Sequence, residues 1–351
     1  MFYLNSDINK ILNESKDILN FYSGKKILIT GGRGFLGRYF TEVFYRLNTF
    51  IEKPVDLIVL DNLITGEKLN SQNQYKNFEF LIKDACEPFD FKEHIDLIIH
   101  AAGIASPYYY RKKPIETLDV AIKGTRNSLD LAKKHNSKVI FFSSSEIYGD
   151  PDPKQIPIKE NYRGNISSMG PRACYDESKR IGETLCYIYK NSFDVHTNII
   201  RPFNVYGPGM NQKDYRVLPN FISNIVNNKN LNIYGTGKQT RTYCYISDAI
   251  EGFLRIIAKG VSGEAYNIGN NKPEISVIEL ISLLQKIHQK KFYSKKINYP
   301  DSYPEDEPQR RCPDIAKAKK DLNYFPKVNL EDGLRNYLKW ARNNYKIYKR
   351  N

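Results

Sequence analysis

The sequence has no apolar run long enough for a membrane-spanning helix. No stretch of the 351 residues approaches the roughly 18 consecutive apolar residues that such a helix needs. The first twenty residues include Asp7, Glu14 and Asp17, where a secretory signal peptide would be basic and then apolar. We therefore expect no membrane span, no secretion by a standard signal, and a cytoplasmic location.

Cysteine is scarce, and its positions match no metal-binding pattern. The five cysteines stand far apart, with no Cys-x-x-Cys pair and no histidines at the spacing of a zinc site. We therefore predict reduced thiols and no metal centre. The five positions are Cys86, Cys174, Cys186, Cys244 and Cys312.

The chain also lacks long basic blocks and nucleic-acid-binding signatures, although it carries excess positive charge. There are 53 Lys and Arg residues against 39 Asp and Glu residues, which gives a net charge of +14. Such a charge favours an anionic partner. Because the excess is spread along the chain, we expect a phosphorylated small molecule and no nucleic acid as the partner.

Apolar runs that alternate with helical stretches predict the fold. The runs KILIT, DLIVLD, DLIIHAA, KVIFFSSS and HTNIIRPFN are separated by segments of helical period, a pattern typical of a doubly wound parallel sheet of Rossmann type. After about Gly207 the elements become shorter, and a capping box at Ser276 and Glu279 predicts a helix near the end. We predict a helical extension over 1–24, a Rossmann α/β domain over 25–206, and a smaller mixed α/β C-terminal lobe over 207–351, with some segments returning to the Rossmann domain.

A glycine-rich turn follows the first predicted strand. In KILITGGRGFLG, glycines at 31, 34 and 37 fall on the turn and on the first helical residues, where the backbone can approach a pyrophosphate. Asp61 ends the second strand, where a carboxylate accepts hydrogen bonds from ribose hydroxyls and repels a 2′-phosphate. This context favours NAD over NADP. Asp84 suits an adenine amino group and a helix cap equally well.

Tyr175 and Lys179 stand four residues apart, on one face of a predicted helix. A nearby ammonium stabilises phenolate, so the tyrosine can exchange a proton with a substrate hydroxyl. YxxxK alone fits an ordinary helix face, but KVIFFSSS ends about thirty residues upstream and can place Ser144 beside Tyr175. The sequence therefore predicts a hydride-transfer site. The aromatic run Tyr108–Tyr110 fits either a loop over the substrate or a loop packed on the core.

Across about residues 25 to 345, the chain resembles the extended short-chain dehydrogenase/reductase family of NAD-dependent nucleotide-sugar epimerases and dehydratases. Within that family it is most similar to UDP-glucuronate decarboxylases, on the motifs SSSEIYGDP, GPRACYDESKR, RPFNVYGPGMN, RVLPNFI, YGTGKQTRTYCYISD, YNIGN and RRCPDIAKAK. The resemblance implies that NAD is held by Gly31, Gly34, Phe35, Leu36, Gly37, Asp61, Asn62, Asp84, Ala102, Tyr175 and Lys179. It also implies a nucleotide-diphosphate site formed by Asn204, Arg216, Tyr234, Arg241 and Arg311. Arg241 has a second interpretation, as a surface arginine on a strand.

The triplet Ser144, Ser145 and Glu146 separates the subclasses that the resemblance allows. Dehydratases of this family carry Asp-Glu after the Ser or Thr, so Ser145 argues against a 4,6-dehydratase. A carboxylate at Glu146, next to the C5 substituent of the sugar, suits proton handling during decarboxylation. The alternative is a strand-end carboxylate that caps a turn.

Three departures from the decarboxylase pattern leave the sugar open. They are Ala121, the stretch 163–168, and Tyr215, where glycine is usual. We predict NAD-dependent C4 oxidation followed by decarboxylation of UDP-glucuronate to UDP-xylose. The alternatives are C4 oxidation or epimerisation without decarboxylation and, from another class, a non-catalytic NAD-binding regulatory protein.

The family resemblance also implies a homodimer that pairs through the helix bearing YxxxK. Residues 175–189 carry apolar side chains beyond the catalytic face, and these are Ile181, Leu185, Ile188 and Tyr189.

Overall fold

The computed structural model describes residues 1–67, 76–289, 292–298 and 308–346. In chain order its strands are β1 (Lys26–Thr30), β2 (Asp56–Asp61), β3 (Phe78–Ile82), β4 (Leu97–His100), β5 (Lys138–Phe142), β6 (Thr197–Pro202), β7 (Val205–Tyr206), β8 (Leu231–Tyr234), β9 (Thr240–Arg241), β10 (Cys244–Tyr245), β11 (Ala265–Ile268), β12 (Ile275–Ser276), β13 (Ser294–Ile297) and β14 (Arg310–Arg311). Its α-helices are α1 (Asn5–Glu14), α2 (Phe35–Leu47), α3 (Pro107–Lys112), α4 (Pro114–Asp119), α5 (Thr125–His135), α6 (Ala173–Phe193), α7 (Val217–Val226), α8 (Ile246–Lys259), α9 (Val277–His288), α10 (Ala316–Leu322) and α11 (Leu330–Asn344).

A seven-stranded parallel sheet forms the centre of the molecule, in the order β3-β2-β1-β4-β5-β6-β11. Its inner strands β1, β2, β4 and β5 are mostly apolar and buried because both faces are covered, whereas the edge strand β3 is partly exposed. Ile27 and Ile29 face one layer, which includes α2 and α8, while Leu28 faces the layer formed by α5 and α6. The predicted Rossmann-type α/β fold is confirmed.

The segment after β6 builds smaller sheets beside the carboxyl ends of the large one. These are the pair β7 and β10, the three-stranded sheet β12-β9-β14, and the pair β8 and β13. The predicted capping box is present at the start of α9, where Ser276 and Glu279 bond each other's backbone amides. Strand β11 leaves this region and joins the large sheet beside β6.

The first 22 residues form α1 and a 3₁₀ helix (Lys16–Tyr22), which lie against α8 and α2. Their apolar side chains are buried, including Ile8, Ile11 and Leu12. The extension is therefore part of the same core as the sheet. Within the described ranges, no helix is long and apolar enough to cross a membrane.

Candidate active site

A cleft opens where β1, β4 and β5 end, between the large sheet and the smaller strands. In parallel α/β sheets this edge is where ligands bind, because loops diverge there and helices begin. The cleft extends from the glycine turn after β1 to Arg241 and Arg311 on the small sheet. Tyr175 and Lys179 lie along the same cleft.

The glycine turn is shaped so that no side chain fits in it. Gly31 has φ +70°, and a Cβ there would lie 2.5 Å from the Cα of Ala102. A Cβ on Gly37 would lie 2.4 Å from the carbonyl oxygen of Gly31. Gly34 is the N-cap of α2, and Phe35 follows it into the cleft. The bare cradle and the first amides of α2 therefore fit a dinucleotide pyrophosphate. Leu36 and Gly37 line the same wall.

Asp61 lies at the end of β2, and its carboxylate is held by local backbone. It accepts hydrogen bonds from the amides of Arg33, at 2.8 Å, and Leu63, at 2.7 Å. Burial raises the pKa of Asp61, while these two amides oppose the rise. The contact of Asp61 with a ribose, which the sequence suggests, stays a prediction.

Asn62 and Asp84 are neighbours at the outer end of the same strands. Asn62 Nδ2 donates to Asp84 Oδ2 at 2.9 Å, and the amide of Cys86 donates to Asp84 Oδ1 at 2.8 Å. One carboxylate oxygen of Asp84 therefore caps the turn at Cys86, and the other orients the Asn62 side chain.

Ser144, Tyr175 and Lys179 are brought together by β5 and α6. Burial raises the Tyr175 pKa to about 12, and the nearby Ser144 side chain opposes that rise. Lys179 Nζ lies 5.7 Å from the centroid of the Tyr175 ring and donates to the carbonyl of Phe142 at 2.9 Å. Burial lowers the pKa of Lys179 to about 8. The buried ammonium and phenol are thus placed to share a proton relay with a hydroxyl substrate.

Tyr110 packs directly on Tyr175. The two rings are nearly parallel, with centroids 5.1 Å apart and an interplanar angle of 10°. This stack fixes the plane of the Tyr175 ring. The aromatic run that contains Tyr110 is visible in the sequence, but its spacing does not show which ring contacts the catalytic helix.

Glu146 lies between two buried arginines. Its carboxylate forms ion pairs with Arg172 and with Arg311, which is 1% exposed. Burial disfavours the charged form, but the Arg311 and Arg172 guanidiniums outweigh it and hold the Glu146 pKa well below its usual range. Ser145, next to it, is buried and lines the cleft. Glu146 is thus ionised near neutral pH.

Sequence reasoning missed Arg172 as a contact of this carboxylate. The residue precedes α6 in the GPR motif, 26 positions after Glu146. The motif marks the position, but only the packing of α6 against the turn after β5 shows the ion pair.

The residues expected at the nucleotide diphosphate line the far end of the cleft. Arg241 and Arg311 are register partners on β9 and β14. The Arg241 guanidinium donates to backbone carbonyls, among them that of Pro308 at 2.6 Å. Arg216 forms an ion pair with Asp214 at 2.6 Å. Two further residues expected there also line the cleft, Asn204, which donates to the carbonyl of Thr242, and Tyr234 at the end of β8.

Of the three departures from the decarboxylase pattern, Tyr215 alone lines the cleft as far as the structure describes it. Its ring stacks on Tyr108, with centroids 4.3 Å apart. Ala121 is buried in a π-helical turn (Val120–Gly124), and the stretch 163–168 packs against the turn after β5 through a bridge between Asn165 and Gly149. Tyr215 is therefore the departure placed to affect the sugar.

The Rossmann sheet, the bare glycine cradle and the Ser144, Tyr175 and Lys179 set together define a dinucleotide-dependent enzyme of the short-chain dehydrogenase type. The chain belongs to the NAD dependent epimerase/dehydratase family, whose model matches residues 27–269. NAD is accordingly its cofactor, and the residues of the cradle fit it.

Within this family, the chain is similar to proteins named UDP-glucuronic acid decarboxylases. The chain is 38% identical to UDP-glucuronic acid decarboxylase 1 of Xenopus tropicalis over 320 residues, which cover 91% of this chain and 72% of that protein. It is also 38% identical to UDP-glucuronic acid decarboxylase 6 of Arabidopsis thaliana, over 90% of this chain and 88% of that protein.

Solved structures of similar fold include epimerases. A UDP-glucuronic acid 4-epimerase from Bacillus cereus, in complex with UDP-glucuronic acid and NAD, has a TM-score of 0.78 and 27% identity, over 91% of this chain and 100% of the other. An epimerase from Methanothermobacter thermautotrophicus has a TM-score of 0.82 and 27% identity, over 95% of this chain and 97% of the other.

Proposed function

We propose that this enzyme decarboxylates UDP-glucuronate to UDP-xylose, using NAD to oxidise C4 of the sugar. The observation that carries the proposal is that Ser144, Tyr175 and Glu146 line one cleft, in which arginines hold the Glu146 carboxylate. Relatives 36–38% identical over most of the chain are UDP-glucuronic acid decarboxylases, and their names supply the substrate.

In the proposed reaction Tyr175 accepts the proton of the C4 hydroxyl, and Ser144 orients that hydroxyl. The ammonium of Lys179, held by the Phe142 carbonyl, stabilises the phenolate while it carries the negative charge. Tyr110, stacked on Tyr175, keeps the phenol in line with the hydroxyl. NAD, which the glycine cradle would hold, would supply the acceptor for the C4 hydride and the source of its return.

Oxidation at C4 turns the C5 carboxylate of the sugar into a β-keto acid, which loses carbon dioxide and leaves an enolate. That enolate takes up one proton from solvent at C5. Because Glu146 is ionised between Arg172 and Arg311, it cannot deliver a proton without first taking one. We therefore assign Glu146 the task of holding the two guanidiniums in place along the cleft.

The experiment that tests this function is turnover of a panel of nucleotide sugars, followed by mass spectrometry. The panel contains UDP-glucuronate, UDP-glucose, UDP-N-acetylglucosamine and dTDP-glucose. We expect UDP-glucuronate to lose carbon dioxide and give a UDP-pentose, and the neutral sugars to remain unchanged. UDP-glucuronate left intact, with a neutral sugar converted, would refute the decarboxylase assignment.

The alternative is epimerisation or oxidation at C4 without decarboxylation. Tyr215 favours it, because its ring lines the cleft where the resemblance leads one to expect glycine, and it therefore changes the space available to the sugar. The same panel separates the two reactions, since an epimerised product keeps the mass of its substrate and is resolved by chromatography.

We also propose a homodimer that pairs through the outer face of α6. Ile181, Tyr187 and Ile188 are exposed there, which leaves apolar surface for a second copy to cover. Tyr189 is not available for this contact, because it is buried and its hydroxyl donates to Asp130 on α5 at 2.5 Å. Light scattering should give twice the chain mass, and Ile188→Asp should shift the protein to monomer; a wild-type monomer at micromolar concentration would refute the dimer.

A cytoplasmic location is likewise proposed. Its support is the set of five free thiols, two of them only partly buried, which persist in a reducing compartment. Fractionation of producing cells, with the protein followed by antibody, tests this location.

A further inference from the structure

The N-terminal residues 1–22, here called the N-terminal clamp, are anchored on α8. Tyr22 donates its hydroxyl to the carbonyl of Leu254 at 2.7 Å. Arg255, also on α8, donates to the carbonyl of Glu14 at 2.7 Å and to the carboxylate of Asp17 at 3.0 Å. These contacts hold residues 14–22, the base of the clamp, on a core helix. They therefore restrict the position of its other end at Phe2, here called the tip.

The tip of the clamp contacts the helix that follows the glycine turn. The Phe2 ring lies 4.7 Å from the Arg38 guanidinium and meets the Tyr39 ring edge to face at 5.7 Å. Arg38 in turn donates to the carbonyl of Gly209 at 2.7 Å, and Tyr39 donates its hydroxyl to the carbonyl of Pro208 at 3.0 Å. Phe2 therefore orients the two side chains that hold the loop after β7.

The clamp also touches that loop directly. Gly209 has φ +91°, and a Cβ at this residue would lie 2.7 Å from the carbonyl oxygen of Phe2. The two backbones approach so closely that the site admits only glycine. The loop and the tip of the clamp are thus packed as one unit.

A second connection runs through Asp7, which is 3% exposed. Its carboxylate accepts a hydrogen bond from the hydroxyl of Tyr245 at 2.9 Å. Tyr245 lies on β10, and its register partner Tyr206 on β7 immediately precedes the loop. The clamp is therefore joined to the loop directly at Gly209 and, through Tyr245, to the strand that precedes the loop.

The chain beyond this loop lines the cleft at Asn211, Asp214, Tyr215 and Arg216. We propose that the N-terminal clamp is a positioning element for segment 207–216, with Phe2 as its principal positioning residue, and that it sets the affinity for the nucleotide sugar without contacting it. The proposal rests on the proposed function only in naming a nucleotide sugar as the ligand.

The carboxyl-terminal end of the described chain contacts both segment 207–216 and the clamp. Tyr345 donates its hydroxyl to the carbonyl of Met210 at 2.9 Å, and Trp340 donates to the carbonyl of Met1 at 2.9 Å. Removing the Phe2 ring therefore loosens segment 207–216 without releasing it, so the variant keeps its fold and the effect is graded.

The test compares Phe2→Ala with Phe50→Ala, a matched control whose ring is 52% exposed. Hydrogen–deuterium exchange is measured over 207–216 and over 26–37, and UDP and NAD affinities are measured by calorimetry. For Phe2→Ala we expect faster exchange over 207–216 alone. UDP binding should weaken by about threefold to tenfold, because the ligand must then order a segment that one cation–π and one aromatic contact no longer hold. NAD affinity and the control should match the wild type, and Phe2→Tyr should restore UDP affinity.

Unchanged exchange over 207–216 in Phe2→Ala would overturn the clamp. So would equal losses of UDP and NAD affinity, because they would show general destabilisation. If the wild type binds NAD but not UDP, the proposed nucleotide sugar is wrong, whereas the exchange measurement still decides whether the clamp holds the segment.

Discussion

Replacing Glu146 by Gln removes the charge between two buried guanidiniums. The Glu146 side chain is 22% exposed, and its partners Arg172 and Arg311 are less exposed still. Removing one partner of a buried ion pair costs about 3–5 kcal/mol, because the remaining charge is left without compensation. The Gln amide oxygen still accepts one hydrogen bond, so we expect the lower end, about 3 kcal/mol.

This free energy converts to a measurable shift in melting temperature. At about 2.1 cal/mol/K per residue, unfolding of a chain of this length has an entropy of about 0.7 kcal/mol/K, so the variant should melt about 4 °C below the wild type at pH 7.5. The arginines lower the pKa of Glu146 in the folded state. Its stabilisation is therefore present above the ordinary carboxyl pKa and is lost as the pH falls through the folded value. The difference in melting temperature should shrink below about pH 4.5.

The assay is differential scanning calorimetry of both proteins from pH 8 downward, with Glu274→Gln as the control. Glu274 pairs with Arg310 at 2.8 Å, but the arginine is 44% exposed, so its loss should cost no more than about 1 kcal/mol. A Glu146→Gln protein that melts with the wild type at pH 7.5, or whose deficit is undiminished well below about pH 4.5, would refute the assigned ion pairs.

Three other substitutions test separate parts of the site and the clamp. Tyr175→Phe should lower turnover at saturating NAD by about 10²- to 10⁴-fold, the range for a lost general base; a turnover close to wild type would exclude Tyr175 as the base. Gly31→Ala should weaken NAD binding by at least about tenfold, because its Cβ would lie 2.5 Å from Ala102 Cα, whereas Gly263→Ala, also at positive φ but with its nearest neighbour at 3.4 Å, should not. Asp7→Asn should raise the melting temperature at pH 8. Burial raises the Asp7 pKa to about 7, so the folded wild type loses stability as the pH rises from about 4 to 7. The higher melting temperature of the variant should therefore vanish near pH 4, and a pH-independent difference would contradict this cause.

Much of the fold could be predicted because the signals are local. Strand β1 and its glycine turn are adjacent in sequence, and a buried parallel strand needs an unbroken apolar run such as KILIT. Tyr175 and Lys179 share a helix face by their spacing alone. The structure accordingly places the predicted cofactor cradle and the Ser144, Tyr175 and Lys179 set in one cleft.

The features that could not be predicted depend on contacts between distant segments. The ion pair of Arg172 with Glu146 and the stack of Tyr110 on Tyr175 both need the packing of α6 against its neighbours. The hydrogen bond between Asp7 and Tyr245 joins residues 238 positions apart. The periodicity of a sequence does not show which distant residues contact each other. The extension over 1–24 could therefore be predicted as helical, but its contacts near the cleft could not.

The position of β11 constrains how this chain can be made and divided. During synthesis β6 is completed about sixty residues before β11. Until β11 is made, β6 therefore has an unpaired edge at Ile199 and Ile200. A fragment that stops at residue 206 would keep that edge open to other chains, and we expect it to aggregate. A chimera that takes the C-terminal lobe of a relative therefore also takes that relative's counterpart of Ala265–Ile268, because this strand of the large sheet lies within the lobe's part of the sequence.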